Sequence, residues 1–209
     1  MENFDRKSHW DKIHQTNKLT EVSWYQARPD ISLDFLHKFH LPKIASIIDV
    51  GGGDSLLVDF LLAEGYEDVT VLDISEKALE RAKSRLGEKA NLVKWVVSDA
   101  STFKPTEKYD FWHDRAAFHF FTEEKEIERY VKNVQQSIAP GGYLVLGTFS
   151  ENGPEKCSGL PVKKYSAVAM KELLQQYFER LKCLTVKHLT PSEKVQEYVF
   201  CSFKRLNLG

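Results

Sequence analysis

The sequence predicts an α/β fold, a three-layer sandwich in which helices cover both faces of a seven-stranded, mostly parallel sheet. From Ile44 onward, short β-branched runs alternate with amphipathic segments of helical period, which is typical of βαβ units. The last two runs follow each other closely and favour an antiparallel C-terminal hairpin. With 209 residues and 42% hydrophobic content, we expect one domain over residues 1–209, comprising an N-terminal arm (1–29) and a core (30–209).

Four runs in the first half of the core predict strands, at residues 46–50, 69–72, 91–97 and 109–112. A helix over residues 55–64 follows the first strand, and its nearly all-round apolar surface predicts burial between the sheet and neighbouring helices. A second helix over residues 76–86 follows Ser75, a residue type that caps helix N-termini.

The second half of the core continues with a helix over residues 123–138, in which Ile127, Val131 and Val134 recur at helical spacing. This helix is expected to stop at Pro140-Gly141-Gly142, since proline and glycine end helices. Residues 1–29 and 150–161 are weakly patterned and predict loops. The other predicted elements are a strand over 143–149, a helix over 167–178, and strands over 181–189 and 195–204.

Charge and cysteine content restrict the class of protein. The 29 basic and 30 acidic residues are interleaved along the chain, which argues against a dedicated nucleic-acid or membrane-surface protein. The charged start and the absence of a long apolar run indicate neither secretion nor membrane insertion. Cys157, Cys183 and Cys201 are odd in number and widely spaced, so neither a disulfide framework nor a zinc site is indicated. We expect a cytoplasmic protein without a metal; the oligomeric state stays open.

The segment IIDVGGGDS at residues 47–55 runs from an apolar strand straight into a glycine turn and then a helix. Ligands of open α/β sheets bind near such a turn, at the carboxyl ends of the strands. Glycines let the backbone approach a ligand, and the helix start offers unpaired N–H groups. A dinucleotide site of pattern G-x-G-x-x-G would need a third glycine where this chain has Leu56.

Asp49 with this glycine turn resembles the first motif of the class I S-adenosylmethionine (SAM)-dependent methyltransferases, a Rossmann-like family whose motif cradles the methionine part of SAM. Asp73, at the end of the second strand, matches the family's ribose-binding carboxylate, and Asp99 after the third strand matches its adenine contact. Asp73 alone would also suit a dinucleotide enzyme, and Asp99 favours SAM. The resemblance implies cofactor contacts from Asp49, Gly51, Gly52, Gly53, Asp73, Ile74, Asp99 and Ala100.

The resemblance covers about residues 44–204. Over this range, the pattern of the chain is similar to that of small bacterial-type and METTL-like enzymes. The turn at Pro140-Gly141-Gly142 and the C-terminal hairpin both fit this family's sheet. One departure is that Asp54-Ser55 replaces a third glycine that many members carry.

Acceptor-side residues are expected after the fourth strand, in the polar segment that contains His113, Asp114 and Arg115. Methyl transfer from a sulfonium is an in-line displacement, which needs alignment and a dry pocket, and a base only when the acceptor must lose a proton. His113 or His119 would serve as that base, and Asp114 with Arg115 would orient the acceptor. The alternative is a structural ion pair of Asp114 with Arg115 and a core-packed His119.

Two further segments are candidates for the pocket. Trp10, Trp24 and Tyr25 are similar to an N-terminal aromatic segment that folds over the cofactor in several small methyltransferases, and we expect Trp24 and Tyr25 to contact the cofactor. The alternative is that these aromatics only attach the arm to the domain. The loop around Lys156, Cys157 and Ser158 either contacts the acceptor or is a surface connection.

The leading hypothesis is therefore a SAM-dependent methyltransferase acting on a small molecule or a protein side chain, with no nucleic-acid partner. Two alternatives stay open: an NAD(P)-dependent oxidoreductase, against which Leu56 argues, and a non-catalytic SAM-binding or interaction module.

Overall fold

A computed structural model describes residues 4–207 of the chain; the first three and last two residues of the predicted domain lie outside the described residues. Its main sheet has seven strands in the order β3-β2-β1-β4-β5-β9-β8, so the predicted fold class is confirmed. The strands are β1 Ser46–Val50, β2 Asp68–Asp73, β3 Val93–Val97, β4 Tyr109–Arg115, β5 Ile138–Phe149, β8 Phe178–Leu189 and β9 Val195–Arg205.

The strands β1 to β5 pair in parallel, and β9 pairs antiparallel with both β5 and β8. Helices lie between β1 and β2, between β2 and β3 and between β4 and β5, because a parallel connection must return to the opposite end of the sheet; residues 98–108 connect β3 to β4 without an α-helix. The helices are α1 Arg6–Thr16, α2 Asp30–Lys38, α3 Leu57–Ala63, α4 Glu76–Leu86, α5 Glu124–Ser137 and α6 Ala167–Leu174.

Each face of the sheet carries its own apolar cluster. Trp112 and Leu144 point to the face covered by α5 and α6, where they pack with Val134 and Met170. The opposite face includes Phe111, which belongs to the cluster that α2, α3 and α4 cover. Because side chains alternate along a strand, the buried runs of β1 and β4 supply both layers. None of the helices within residues 4–207 is long and apolar enough to cross a membrane.

Several predicted bounds hold, and the cap at Ser75 is confirmed, because its hydroxyl accepts a hydrogen bond from Ala78 N at 3.1 Å. The prediction for Pro140-Gly141-Gly142 was wrong in one respect: α5 ends at Ser137, and these residues lie inside β5. The pairing of β4 with β5 is irregular between Tyr109 and Phe111, beside the start of β5. This irregularity accommodates a proline within the strand.

The prediction that residues 1–29 form loops was also wrong. Helix α1 lies in this segment, and Asp5 caps it by accepting from Ser8 N at 3.0 Å. The predicted loop at residues 150–161 contains a short antiparallel hairpin, β6 Lys156–Cys157 with β7 Leu160–Pro161.

A disulfide joins Cys183 to Cys201, which corrects the expectation that the cysteines form no bridge. The two residues are directly opposite each other in the register of β8 with β9, and their Cα atoms are 4.1 Å apart. The spacing of cysteines along the sequence does not reveal a strand register, so this pair escaped the sequence analysis.

Candidate active site

A cavity opens at the carboxyl ends of β1, β2 and β4, the edge at which open α/β sheets bind nucleotide-like ligands. Most of the predicted site residues lie in its wall: Trp24, Asp49, Gly51, Gly52, Gly53, Asp73, Ile74, Asp99, Ala100, His113 and Arg115. Tyr25 and Asp114 are described residues that do not lie in this wall. The topology thus brings distant segments to one edge of the sheet, where open α/β sheets bind ligands.

The glycine turn after β1 forms the floor of the cavity. Gly51 and Gly53 have φ of 67° and 47°, in the left-handed region that favours glycine. A Cβ added at Gly51 would lie 2.5 Å from Ala117 Cβ, and one added at Gly52 would lie 2.7 Å from Asp49 Oδ2. Positions 51 and 52 therefore have no space for a side chain, and the turn consists of backbone alone.

Asp49 and His113 face each other across the β1–β4 pair, and both are buried. His113 Nδ1 lies 2.7 Å from Asp49 Oδ1, and Nε2 lies 2.8 Å from the hydroxyl of Ser32 in α2. A neutral ring satisfies both partners when Nδ1 donates to the carboxylate and Nε2 accepts from the hydroxyl. Both ring nitrogens of His113 are therefore engaged, and the contact with Nδ1 holds the Asp49 carboxylate in place.

The carboxylates after β2 and β3 line the opposite side of the cavity. Asp73 Oδ1 accepts a hydrogen bond from Ser75 N at 2.7 Å, and burial raises the pKa of Asp73 to about 6. Asp99 Oδ1 accepts from Ser101 N at 2.7 Å. Each of these side chains is fixed by a backbone N–H two residues further along, as in an Asx turn.

Helix α1 covers this side of the cavity; of its three wall residues, the sequence analysis named Trp10 and missed Arg6 and His14. Arg6 donates from Nη1 to Asp99 Oδ2 at 2.9 Å, and Trp10 and His14 also line the wall. The only signal in the sequence is the i, i+4 spacing of these side chains, which follows a capping Asp5.

Asp114, predicted as an acceptor-side residue, is not brought into the cavity wall with the other predicted residues. Its side chain is fully buried, and it accepts hydrogen bonds from Ala117 N, Phe118 N and the Tyr130 hydroxyl at 3.0, 3.1 and 2.6 Å. Burial raises its pKa to about 6. This carboxyl therefore holds the turn that follows β4 and does not reach the cavity.

His119 also lies outside the cavity wall, and it is fully buried. Its Nδ1 accepts a hydrogen bond from Phe149 N at 3.3 Å. Burial lowers the pKa of His119 to about 3, and the positive charge of Arg115 lowers it further, so the ring stays neutral.

An aromatic wall faces the glycine turn. Trp10 packs edge-on against both Trp24 and Phe120, with ring centroids 6.0 and 4.9 Å apart. Cys157 of β6 also lines the cavity, and burial raises the pKa of its thiol, which keeps it protonated. Lys156 is exposed, and the Ser158 carbonyl lies 3.0 Å from His9 Nε2, so this loop contacts α1.

The sheet order, the glycine turn after β1 and the carboxylates at the ends of β2 and β3 agree with the resemblance to the class I SAM-dependent methyltransferases. Residues 47–142, a little under half of the chain, match the family model described as a methyltransferase domain, which supports the resemblance.

Two curated relatives and one solved structure show the extent of the similarity. Nodulation protein S from Rhizobium tropici is 30% identical over 105 residues, which cover 50% of this chain and 43% of that protein. The eEF1A lysine and N-terminal methyltransferase from Mus musculus is 26% identical over 151 residues, which cover 68% of this chain and 21% of that protein. The chain thus spans less than half the length of either relative.

The solved structure is the N-methyltransferase NodS from Bradyrhizobium japonicum WM9 in complex with S-adenosyl-L-homocysteine. It has a TM-score of 0.70 and 15% identity, and the match covers 96% of this chain and 99% of that chain. At this identity the likeness is one of fold.

Proposed function

We propose that this chain binds SAM in the cavity at the carboxyl ends of β1, β2 and β4 and transfers its methyl group to a small-molecule or protein acceptor. The observation that carries the proposal is the glycine turn beside two ordered carboxylates, Asp73 and Asp99, in one cavity wall.

The residues present fit this cofactor. The turn at Gly51 and Gly52 has no room for a Cβ beside Ala117 and Asp49, so it consists of bare backbone, which suits a ligand that lies against the backbone. Asp73 is buried at the end of β2, and one of its oxygens is engaged with Ser75 N, so the other is available to accept from ribose hydroxyls. Asp99, Ala100 and Ile74 are then the adenine-side residues.

When bound, SAM supplies a methyl group, whose bond to sulfur breaks as a lone pair of the acceptor bonds to carbon, releasing S-adenosylhomocysteine. The chain's own contribution is to position both reactants and to exclude water. Trp10, Trp24 and Phe120 form the apolar wall that serves this purpose. His113 acts as a positioning residue through Asp49.

The names of the relatives are compatible with either a protein or a small-molecule acceptor for this chain. The mouse relative is named for eEF1A lysine and N-terminal methylation, and NodS is named an N-methyltransferase. A nitrogen acceptor that arrives with its lone pair free needs no base, which agrees with the absence of a free His113 nitrogen.

The test is calorimetric titration of the protein with SAM, S-adenosylhomocysteine and NADH. We expect saturable binding of the first two only. We expect Asp73→Ala to weaken SAM binding by about 1–3 kcal/mol, the scale of a lost hydrogen bond to a charged partner. The matched control is Asp68→Ala, at the other end of β2, where the side chain pairs with Lys94 on the surface.

Unchanged SAM affinity in Asp73→Ala would contradict the ribose role. Absence of SAM binding in the unmodified protein would remove the proposed function, and binding of NADH would favour the oxidoreductase. With binding established, transfer of a labelled methyl group into a metabolite extract or into a protein extract distinguishes the two acceptor classes.

A further inference from the structure

Arg115 brings a positive charge to the cavity from the end of β4. Its backbone pairs with Gly147 of β5, and the next residue, Ala116, has φ of 69°. This left-handed conformation turns the chain toward the glycine turn, where Ala117 packs against Gly51. The Arg115 side chain, which is partly buried, therefore lies in the cavity wall beside the turn.

The guanidinium group of Arg115 has few partners. Its Nη1 donates to the Trp24 carbonyl at 2.9 Å, and its Cζ lies 5.2 Å from the centre of the Tyr198 ring. Within residues 4–207, no carboxylate oxygen lies within 4.0 Å of its nitrogens. A guanidinium carries five N–H donors, so four of them have no hydrogen-bond partner among residues 4–207.

Among the described residues of the wall, the other arginine, Arg6, is paired with a carboxylate, whereas Arg115 is not. Arg6 bonds to Asp99 at 2.9 Å, and Asp54 lies 3.1 Å from Arg81. A charge removed from water without a partner costs several kcal/mol in general, so buried charges are normally paired. A negatively charged ligand in the cavity would supply the partner that Arg115 lacks.

The surroundings of Arg115 strengthen its attraction for an anion. Cys157, Trp24 and the Tyr198 ring are poorly polar neighbours, and the buried Tyr198 hydroxyl has no hydrogen-bond partner among the described residues. Burial lowers the pKa of Arg115, and the positive charge of Arg115 in turn helps lower the pKa of His188. Charge interactions are strong where water is excluded.

We propose that Arg115 binds a carboxylate inside the cavity, an inference that rests on the proposed function. The planar fork of a guanidinium matches the two oxygens of a carboxylate, and a single unpaired cation matches a single negative charge. The carboxylate belongs either to the amino-acid part of the cofactor or to the methyl acceptor.

The experiment compares the unmodified protein with Arg115→Gln by calorimetry, using S-adenosylhomocysteine and decarboxylated SAM as probes. A second titration adds benzoate to protein saturated with S-adenosylhomocysteine and follows the fluorescence of Trp10 and Trp24. The matched control is Arg28→Gln, since Arg28 is exposed outside the cavity, pairs with Asp30 and also lies over an aromatic ring.

If the carboxylate is the cofactor's, Arg115→Gln weakens S-adenosylhomocysteine about 10- to 100-fold and leaves decarboxylated SAM unchanged. If it is the acceptor's, both nucleoside probes bind as before, and benzoate quenches the unmodified protein but not the variant. Arg115→Lys keeps the positive charge and is the variant to use if Arg115→Gln does not fold. We expect its affinity for the carboxylate probe to fall about tenfold, because an ammonium cannot form the bidentate contact of a guanidinium.

The proposal is overturned if Arg115→Gln and Arg115→Lys bind S-adenosylhomocysteine as the unmodified protein does, and benzoate either fails to bind or binds all three proteins equally. Failure of the proposed function is a different result, in which the unmodified protein binds neither nucleoside probe.

Discussion

Gly51 is the most constrained residue of the site, because its φ of 67° and the 2.5 Å approach of Ala117 Cβ both exclude a side chain. We expect Gly51→Val to abolish measurable SAM binding and to destabilise the fold by more than about 1 kcal/mol, since a β-branched residue at positive φ is strained before any clash is counted. Calorimetry and denaturant unfolding measure the two effects.

The matched control is Gly65→Ala, because Gly65 has φ of 83° with open space around it. That variant carries the strain without the clash, and we expect it to bind SAM normally. Full SAM binding by Gly51→Val would place the cofactor elsewhere.

Residues at the ends of strands were accessible to sequence reasoning, whereas those from outside the sheet were not. Asp49, Asp73 and Asp99 follow apolar runs directly, so their place at one edge of the sheet follows from parallel topology. Asp114 has the same kind of sequence position, yet it turns to the other face because neighbouring strand residues alternate. The pairing of Arg6 with Asp99 joins residues 93 apart, and no local pattern predicts it.

Helix α1 contacts the domain through polar groups as well as through Trp10, and the polar contacts make its docking testable. Asp11 Oδ1 accepts from the Ser75 hydroxyl at 2.7 Å and from Lys77 N at 3.2 Å, at the start of α4. We expect Asp11→Ala to speed amide hydrogen exchange over residues 6–16 about fivefold or more, since losing about 1 kcal/mol of docking changes a local opening equilibrium by that factor.

The control is Lys12→Ala, an exposed position on the same helix. If both variants exchange equally fast, the contact with α4 does not hold α1 in place. If Asp11→Ala also weakens SAM binding while Lys12→Ala does not, the docked helix contributes to the cofactor site.

Helices and strands of the core were predictable from the sequence, whereas helix α1 was not. Alternating strands and helices of the core carry strong periodicities, and β1 and α4 agree with their predicted bounds. Helix α1 has a polar sequence, and His14 is its only buried residue. It therefore lacks the apolar stripe from which an amphipathic helix is predicted. Helix stability there comes from the domain surface against which α1 docks.

Stability of the whole molecule should depend on pH through Asp114. Its pKa is raised to about 6 from 3.8, so the native state holds this proton more tightly than the unfolded chain does. The resulting contribution to the free energy of unfolding is fully present below about pH 4 and is lost as the pH rises through about 6. A shift of this size corresponds to about 3 kcal/mol.

The measurement is denaturant unfolding of the unmodified protein and of Asp114→Asn between pH 4 and pH 7. Other titrating groups are common to both, so the difference in unfolding free energy isolates this carboxyl. We expect that difference to change by about 2–3 kcal/mol, in favour of the variant at higher pH. A constant difference would mean that Asp114 titrates alike in both states.

The contact between Gly51 and Ala117 links two turns that are 66 positions apart, one after β1 and one after β4. Space at this contact is shared, so a gain of volume at one position requires a loss at the other. Ala117→Gly would therefore remove the atom that Gly51→Ala clashes with, and the double variant should lose less stability than the sum of the single changes. Over evolutionary time, such a shared space restricts both turns to small residues together, even though only one of them belongs to the glycine motif.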